Sequence, residues 1–136
     1  MTKYFADTHY WVALLRPTDQ WRSEALAVTA RLRPEIVTTD EVLVETLNFM
    51  SEAGASLRVA AAELVRGLLT STAVQVIPQT HASFLEALAF YESRQDKGYS
   101  LVDCVSMLAM RDLGIDDVLT GDHHFAQEGF RPLLAR

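Results

Sequence analysis

Apolar positions along the chain fall into short runs that switch between the period of a strand and that of a helix. The β-rich start KYFAD passes straight into a helical stretch, THYWVALL, which Pro17 closes. After Thr18, a good N-cap residue, Trp21, Ala25, Val28 and Leu32 recur at i, i+4, i+7 and i+11, one face of a helix that ends at Pro34. EIVTT reads as a second strand, and Asp40 is placed to cap a helix through DEVLVETLNFMSEA, with Leu43, Leu47 and Met50 in its apolar stripe and Gly54 as its stop. Leu57, Ala61, Leu64 and Leu68 mark the next helix, AVQVI a third strand, and Phe84, Leu88 and Tyr91 a further helix before the break at Gly98. SLVDCVSMLAMRDLG predicts a helix closing at Gly114, DDVLT a fourth strand, DHHFAQE a short helix, and FRPLL an edge-like last strand that tolerates Pro132. Strands alternating with helices imply an α/β fold, a parallel sheet covered on both faces.

With 136 residues, 49% of them apolar and 22% charged, the chain is expected to form a single domain over residues 1–136. Its lone cysteine, Cys104, excludes a disulfide framework and a Cys-rich zinc site and suits a reducing, cytoplasmic setting; beside Asp103 it reads as a small buried hydrophobe. No apolar run approaches the roughly 18 residues of a membrane span, and MTKYFAD lacks a signal-peptide pattern, so no membrane association is expected. A net charge of -6 and a pI near 5.1 argue against a broad basic face for long nucleic acid. They leave room for an acidic site that turns positive toward phosphate once it holds divalent cations, and for a basic protein partner.

Isolated charges interrupting apolar segments carry the chemical information. YFADTHYWVALL holds one ionised carboxylate, Asp7; VLVETLNFM holds Glu45; LVDCVSMLAM holds Asp103; VLTGDHHF holds Asp122. Carboxylates are rarely buried unless paired, hydrogen-bonded or bound to a cation. Local cations are scarce, the only lysines being Lys3 and Lys97, so a metal is the economical compensation. Asp7 and Asp122 fall at the ends of the first and fourth expected strands, where parallel sheets bind ligands, and Glu45 and Asp103 lie about one turn into helices that follow the same edge.

Plainer roles exist for each acid. Asp7 and Asp122 have the position of helix caps, and Ser100 with Asp103 has the spacing of a capping box; taken singly, capping is the favoured reading. Glu45, mid-helix among apolar neighbours, resists that account. Glu41 is assigned to the surface, Asp116 and Asp117 to a solvated loop, and His123 and His124 to a solvated loop as well, although a histidine there is also able to touch phosphate or ligate a softer metal. His9 and His81 show no partner in the sequence.

These residues together resemble the PIN-domain ribonucleases, in particular the VapC-like toxins of bacterial toxin-antitoxin pairs. FADTHYWVALL is similar to the family's opening strand with its first Asp and following hydroxyl, TTDEVLVETLN to the stretch with the Glu, YSLVDCVSMLAM to the helix start with the third acid, and VLTGDHHF to the closing hydroxyl-spacer-Asp motif. The resemblance runs over nearly the whole chain in the right order. It implies a PIN-like three-layer domain, with a five-stranded parallel sheet between helices and a carboxylate pocket at the sheet's C-terminal edge. It also implies that Asp7, Glu45, Asp103 and Asp122 ligate magnesium or manganese, directly or through water, and that Thr8, Ser100 and Thr120 orient them; Asn48, one turn after Glu45, either lines the site or bonds locally.

The implied activity is metal-dependent hydrolysis of RNA phosphodiesters with no protein nucleophile, and the implied partner is a small antitoxin whose basic segment reaches the acidic pocket while an apolar helix lies along residues 57–69. Homodimerisation is expected as well, from apolar faces around Trp21, Leu57, Leu64 and Leu68 that exceed what a small sheet covers. Alternatives are a stand-alone PIN nuclease without an antitoxin and a non-catalytic PIN-like binding module. The DHH motif is similar to that of the DHH phosphoesterases, but their other acidic motifs and second domain are lacking. A receiver domain fits poorly, since neither lysine stands after a late strand.

Overall fold

The structure is a computed structural model that describes residues 2–134. Its strands are β1 (Lys3–Ala6), β2 (Glu35–Thr39), β3 (Val74–Ile77), β4 (Asp117–Leu119) and β5 (Arg131–Pro132). Its helices are α1 (Thr8–Leu15), α2 (Arg22–Leu32), α3 (Asp40–Phe49), α4 (Ala55–Thr70), α5 (His81–Ser93), α6 (Leu101–Leu113) and α7 (His124–Gln127). All strand pairs are parallel, in the order β3-β2-β1-β4-β5, with Phe5 opposite Val37 on one side and Val118 on the other. Parallel neighbours require crossovers, and helices supply them, giving a three-layer α/β fold with a shared core. Phe5, Val37, Val118 and Leu119 from the strands and Tyr10, Met107, Met110 and Phe125 from the helices are fully buried in it.

The strand order places the functional crevice. From central β1 the chain moves outward through β2 and β3, then returns to lay β4 on the other side of β1. The order reverses between β1 and β4, and the loops leaving their C-terminal ends diverge to open a cleft.

Several local expectations need correction. Thr18 does not cap the second helix: α2 starts at Arg22, whose guanidinium donates to the carbonyls of Ala13 and Leu14 at the end of α1, and the Asp19 carboxylate accepts from the Trp21 N–H at 2.8 Å. Asp40 does not cap α3. Thr39, still extended, accepts from the Val42 N–H at 3.1 Å, while Asp40 accepts from the Gln79 N–H at 2.9 Å and ties α3 to the loop after β3. α3 ends at Phe49, short of residue 53, in a turn where Ser51 Oγ donates to the Asn48 carbonyl. Asp117 is not in a solvated loop; it opens β4, buried, and accepts from Arg131 Nε at 2.6 Å. Glu41 is half-buried and lines a cavity together with Val105 and Leu108, and burial pushes its carboxyl up.

Glu128, just past α7, ties the C-terminal half together. Its carboxylate, 10% exposed, accepts from Arg94 Nε and Nη2 at 3.1 and 2.8 Å, from the Tyr99 hydroxyl at 3.0 Å and from Arg111 at 3.3 Å. Both arginines also lie over the Phe90 ring, so α5, α6 and α7 meet at one charge. The Arg94 hydrogen bonds hold the Glu128 carboxyl below its ordinary value of 4.5. Its stabilisation is therefore complete above that value and is lost as pH falls through the lower folded-state value. Glu128→Gln is expected to cost about 2 kcal/mol at neutral pH, measured by urea denaturation, with the deficit against the parent shrinking toward pH 3. A deficit independent of pH would contradict this role.

Candidate active site

Three of the acids converge in the cleft. Asp7 directly follows β1 and occupies the N-cap position of α1, but its side chain makes no cap hydrogen bond. Instead Asp7 Oδ2 accepts from Thr120 Oγ1 at 2.9 Å, across the seam between β1 and β4, and the same Thr120 oxygen accepts from the Asp122 N–H at 3.1 Å. Asp7 Oδ1 is buried with no hydrogen-bond partner among the described residues. Asp103 stands in the first turn of α6 in a full capping box: Ser100 Oγ accepts from its N–H, and its Oδ2 accepts from the Ser100 N–H, both at 3.0 Å. Asp122 Oδ1 accepts from the His124 N–H at 2.9 Å.

The electrostatics are those of a site lacking its counter-charge. Burial raises the Asp7 carboxyl to about 6; His9 opposes the rise, Asp103 adds to it, and the Thr120 hydrogen bond opposes it. Asp103 is likewise raised, first by burial and further by Asp122. Near-buried carboxylates that repel one another, one with an oxygen left orphaned, are what a divalent cation would relieve.

Glu45 joins from α3 by a different route. Half-buried, it accepts from Thr8 Oγ1 at 2.5 Å, so the hydroxyl next to Asp7 tethers the fourth acid. Asp103, Asp122 and His124 form the tighter group, each with one ligand atom within 4.8 Å of the others. Thr8, Ser100 and Thr120 hold Glu45, Asp103 and Asp7 respectively. Asn48 is exposed near the end of α3, and its main-chain carbonyl accepts from Ser51 Oγ in the turn that follows. At Asp103 a single oxygen, Oδ2, both accepts the capping-box bond from the Ser100 N–H and faces His124 Nδ1.

Two features of the site go beyond the favoured reading of the sequence. His124 does not lie in a solvated loop; its side chain is 24% exposed and its Nδ1 is 3.3 Å from both Asp103 Oδ2 and Asp122 Oδ1, whereas His123, 77% exposed, fits that description. The second feature is Trp21. Its ring packs against Gly121, so close that a Cβ there would stand 2.2 Å from Trp21 Cε2. The loop between α1 and α2 thereby braces the Thr120–Asp122 turn. A glycine between a hydroxyl and an acid after a strand was the available signal, but nothing local names its aromatic neighbour. Cys104 is fully buried, with its thiol pushed up to about 11 by burial, as an inert core residue should be.

Carboxylates gathered at the switch point of a parallel sheet make an α/β domain with an acidic group that could hold a metal ion. The family model for the PIN domain matches residues 4–130, and the chain belongs to the PIN domain family. It is 29% identical over 126 residues to the 23S rRNA-specific endonuclease VapC20 of two Mycobacterium tuberculosis strains, CDC 1551 / Oshkosh and H37Rv, covering 93% of this chain and 94% of theirs. The crystal structure of Mycobacterium tuberculosis VapC20, described as a sarcin-ricin loop cleaving toxin, superposes with a TM-score of 0.84 at 29% identity, over 94% of this chain and 96% of that one.

Asp7→Asn keeps an acceptor for Thr120 and removes a desolvated charge that Asp103 repels. In metal-free buffer at pH 7.5 it is expected to raise the melting temperature by several degrees, on the order of 2 kcal/mol; a lower melting temperature would show that the charge is already compensated. Gly121→Ala is expected to displace Trp21 and the Asp122 turn, costing about 1–3 kcal/mol as an overpacking change. Trp21 fluorescence together with denaturation would report both effects, and an unchanged emission spectrum would contradict the contact.

Proposed function

We propose that this chain is a magnesium- or manganese-dependent endoribonuclease and the toxin of a toxin-antitoxin pair. The single observation that carries the reading is the buried Asp7 carboxylate, one oxygen of which has no hydrogen-bond partner among the described residues while Asp103 adds to its rise. The donors fit a hard divalent cation, being carboxylate oxygens with main-chain or hydroxyl partners on their other lone pairs. Asp7, Asp103 and Asp122 would hold the ion, with Glu45 a fourth ligand directly or through water. When bound, the ion supplies Lewis acidity toward the scissile phosphate and an activated water.

The chain's own residues do the positioning. Thr120 fixes Asp7 and the Asp122 main chain at once, the Ser100 box fixes Asp103, and Thr8 fixes Glu45, so the acids are held before substrate arrives. No side-chain nucleophile is needed, and Cys104 is too deeply buried to serve as one. A non-catalytic PIN-like module has no use for orphaned buried carboxylates, and the same acids give a basic antitoxin segment something to neutralise.

A homodimer remains part of the proposal, but on another surface. Leu68 is buried, and Trp21, Leu57 and Leu64 are half-buried against the protomer's own core, so they are not a spare face. Exposed apolar side chains lie instead on α5, at Phe84, Leu85, Leu88 and Tyr91, and on α3, at Val44, Leu47 and Phe49. Among the described residues no helix is long and apolar enough to cross a membrane.

The test is incubation of the purified protein with 23S rRNA, the substrate named for the relative, and with total cellular RNA, each with magnesium, manganese or chelator. Cleavage is expected only with a divalent ion and should fall at least about a thousandfold in Asp7→Asn, several kcal/mol of transition-state stabilisation. RNA left intact under every ionic condition would overturn the nuclease reading. Thr120→Val, which removes a carboxylate's orienting partner, should cost about 10–100-fold in metal affinity or rate.

A further inference from the structure

The two histidines after Asp122 differ in their surroundings. His123 is solvated. His124, the first residue of α7, has its ring against the edge of Tyr99 at 5.6 Å between centroids, and its Nε2 lies 3.3 Å from the place a Cβ would take on Gly98, so that only a glycine leaves the ring undisturbed. Tyr99 is itself anchored by its hydroxyl to Glu128. The imidazole is thus held from behind, with Nδ1 presented to the carboxylates.

The spacing of that presentation is informative. Nδ1 is 3.3 Å from Asp103 Oδ2 and 3.3 Å from Asp122 Oδ1. A charge-assisted N–H···O bond is shorter, about 2.7–2.9 Å. Neighbouring ligand atoms around a six-coordinate ion with bonds near 2.1 Å are separated by about 3.0 Å, the bond length multiplied by the square root of two. Both oxygens are also fixed by main-chain donors, Ser100 N–H at 3.0 Å and His124 N–H at 2.9 Å, so the longer spacing to Nδ1 is built in by the backbone. Asp7, one of whose oxygens is buried without a hydrogen-bond partner among the described residues, is raised in part by Asp103, so this end of the sheet lacks a counter-charge.

We infer that His124 donates Nδ1 to the divalent cation, making the donor set of Asp103, Asp122 and His124 mixed oxygen and nitrogen and biasing this chain toward manganese over magnesium. The inference rests on the metal site proposed above. Manganese, though it too favours oxygen, accepts an imidazole nitrogen more readily than magnesium, which gives up its waters reluctantly, so a nitrogen ligand raises affinity for the first more than for the second.

Manganese titrated into the full chain and followed by pulsed EPR tests this without any substrate. The expected result is nitrogen modulation from one coordinated imidazole, altered when the unmutated protein carries isotopically labelled histidine. His124→Ala should lose the modulation and bind manganese at least about tenfold more weakly, with magnesium affinity, read by competition, changed far less; His9→Ala should keep the modulation. Bound manganese without nitrogen modulation, or modulation that survives in His124→Ala, would overturn the inference and leave the metal site standing. A spectrum of free aqueous manganese at every concentration would overturn both.

Discussion

The burial of like-charged carboxylates where the strand order reverses is the constraint around which this molecule is organised. β1 and β4 are neighbours in the sheet although more than a hundred residues separate them in the chain, and each delivers an acid to the same cleft. The Thr120 hydroxyl bridges that seam, holding Asp7 and the turn that carries Asp122. In the absence of a cation the arrangement opposes folding, because Asp7 and Asp103 are both desolvated, Asp103 adds to the rise at Asp7 and Asp122 adds to the rise at Asp103. The rest of the fold has to supply the stability that the site withholds.

The way it does so separates two kinds of buried acid. Glu128 and Asp117 are paired with arginines from Arg94, Arg111 and Arg131, and their charges serve packing. The cleft acids meet no arginine or lysine in the hydrogen bonds described; hydroxyls, helix-start N–H groups and one histidine are their partners. Neutral donors orient a carboxylate without cancelling its charge, so the capacity to attract a cation is preserved. Membership of the PIN domain family and the match to a 23S rRNA-specific endonuclease are consistent with acids held in that state.

The two networks also meet. Glu128 positions Tyr99, Tyr99 packs on His124, and His124 faces Asp103 and Asp122, so the arginine-rich side of the molecule supports the acidic cleft through an aromatic contact. From the opposite side the Trp21 ring presses on Gly121. The short segment from Thr120 to His124 is therefore clamped between elements distant in sequence, which gives a loop-borne site the precision of a rigid scaffold.

Much of this was legible in the chain alone. The alternation of strand and helix periods, together with the positions of Pro17, Pro34 and Gly114, marked nearly every element, because period and backbone-restricted residues act locally. Isolated acids in apolar segments marked Asp7, Glu45, Asp103 and Asp122, since desolvation cost is a property of the residue and its immediate neighbours. Tertiary structure decided what depends on partners far along the chain. It made Thr39 rather than Asp40 the cap, engaged Asp117 and Glu128 with arginines, spent Leu68 and Leu64 on the core, and drew His124 inward while leaving His123 in water. Adjacent histidines in one short motif carry no local signal that tells them apart. Only the packing of Tyr99 and Gly98 against one ring, set by the crossover that lays β4 beside β1, gives them different surroundings.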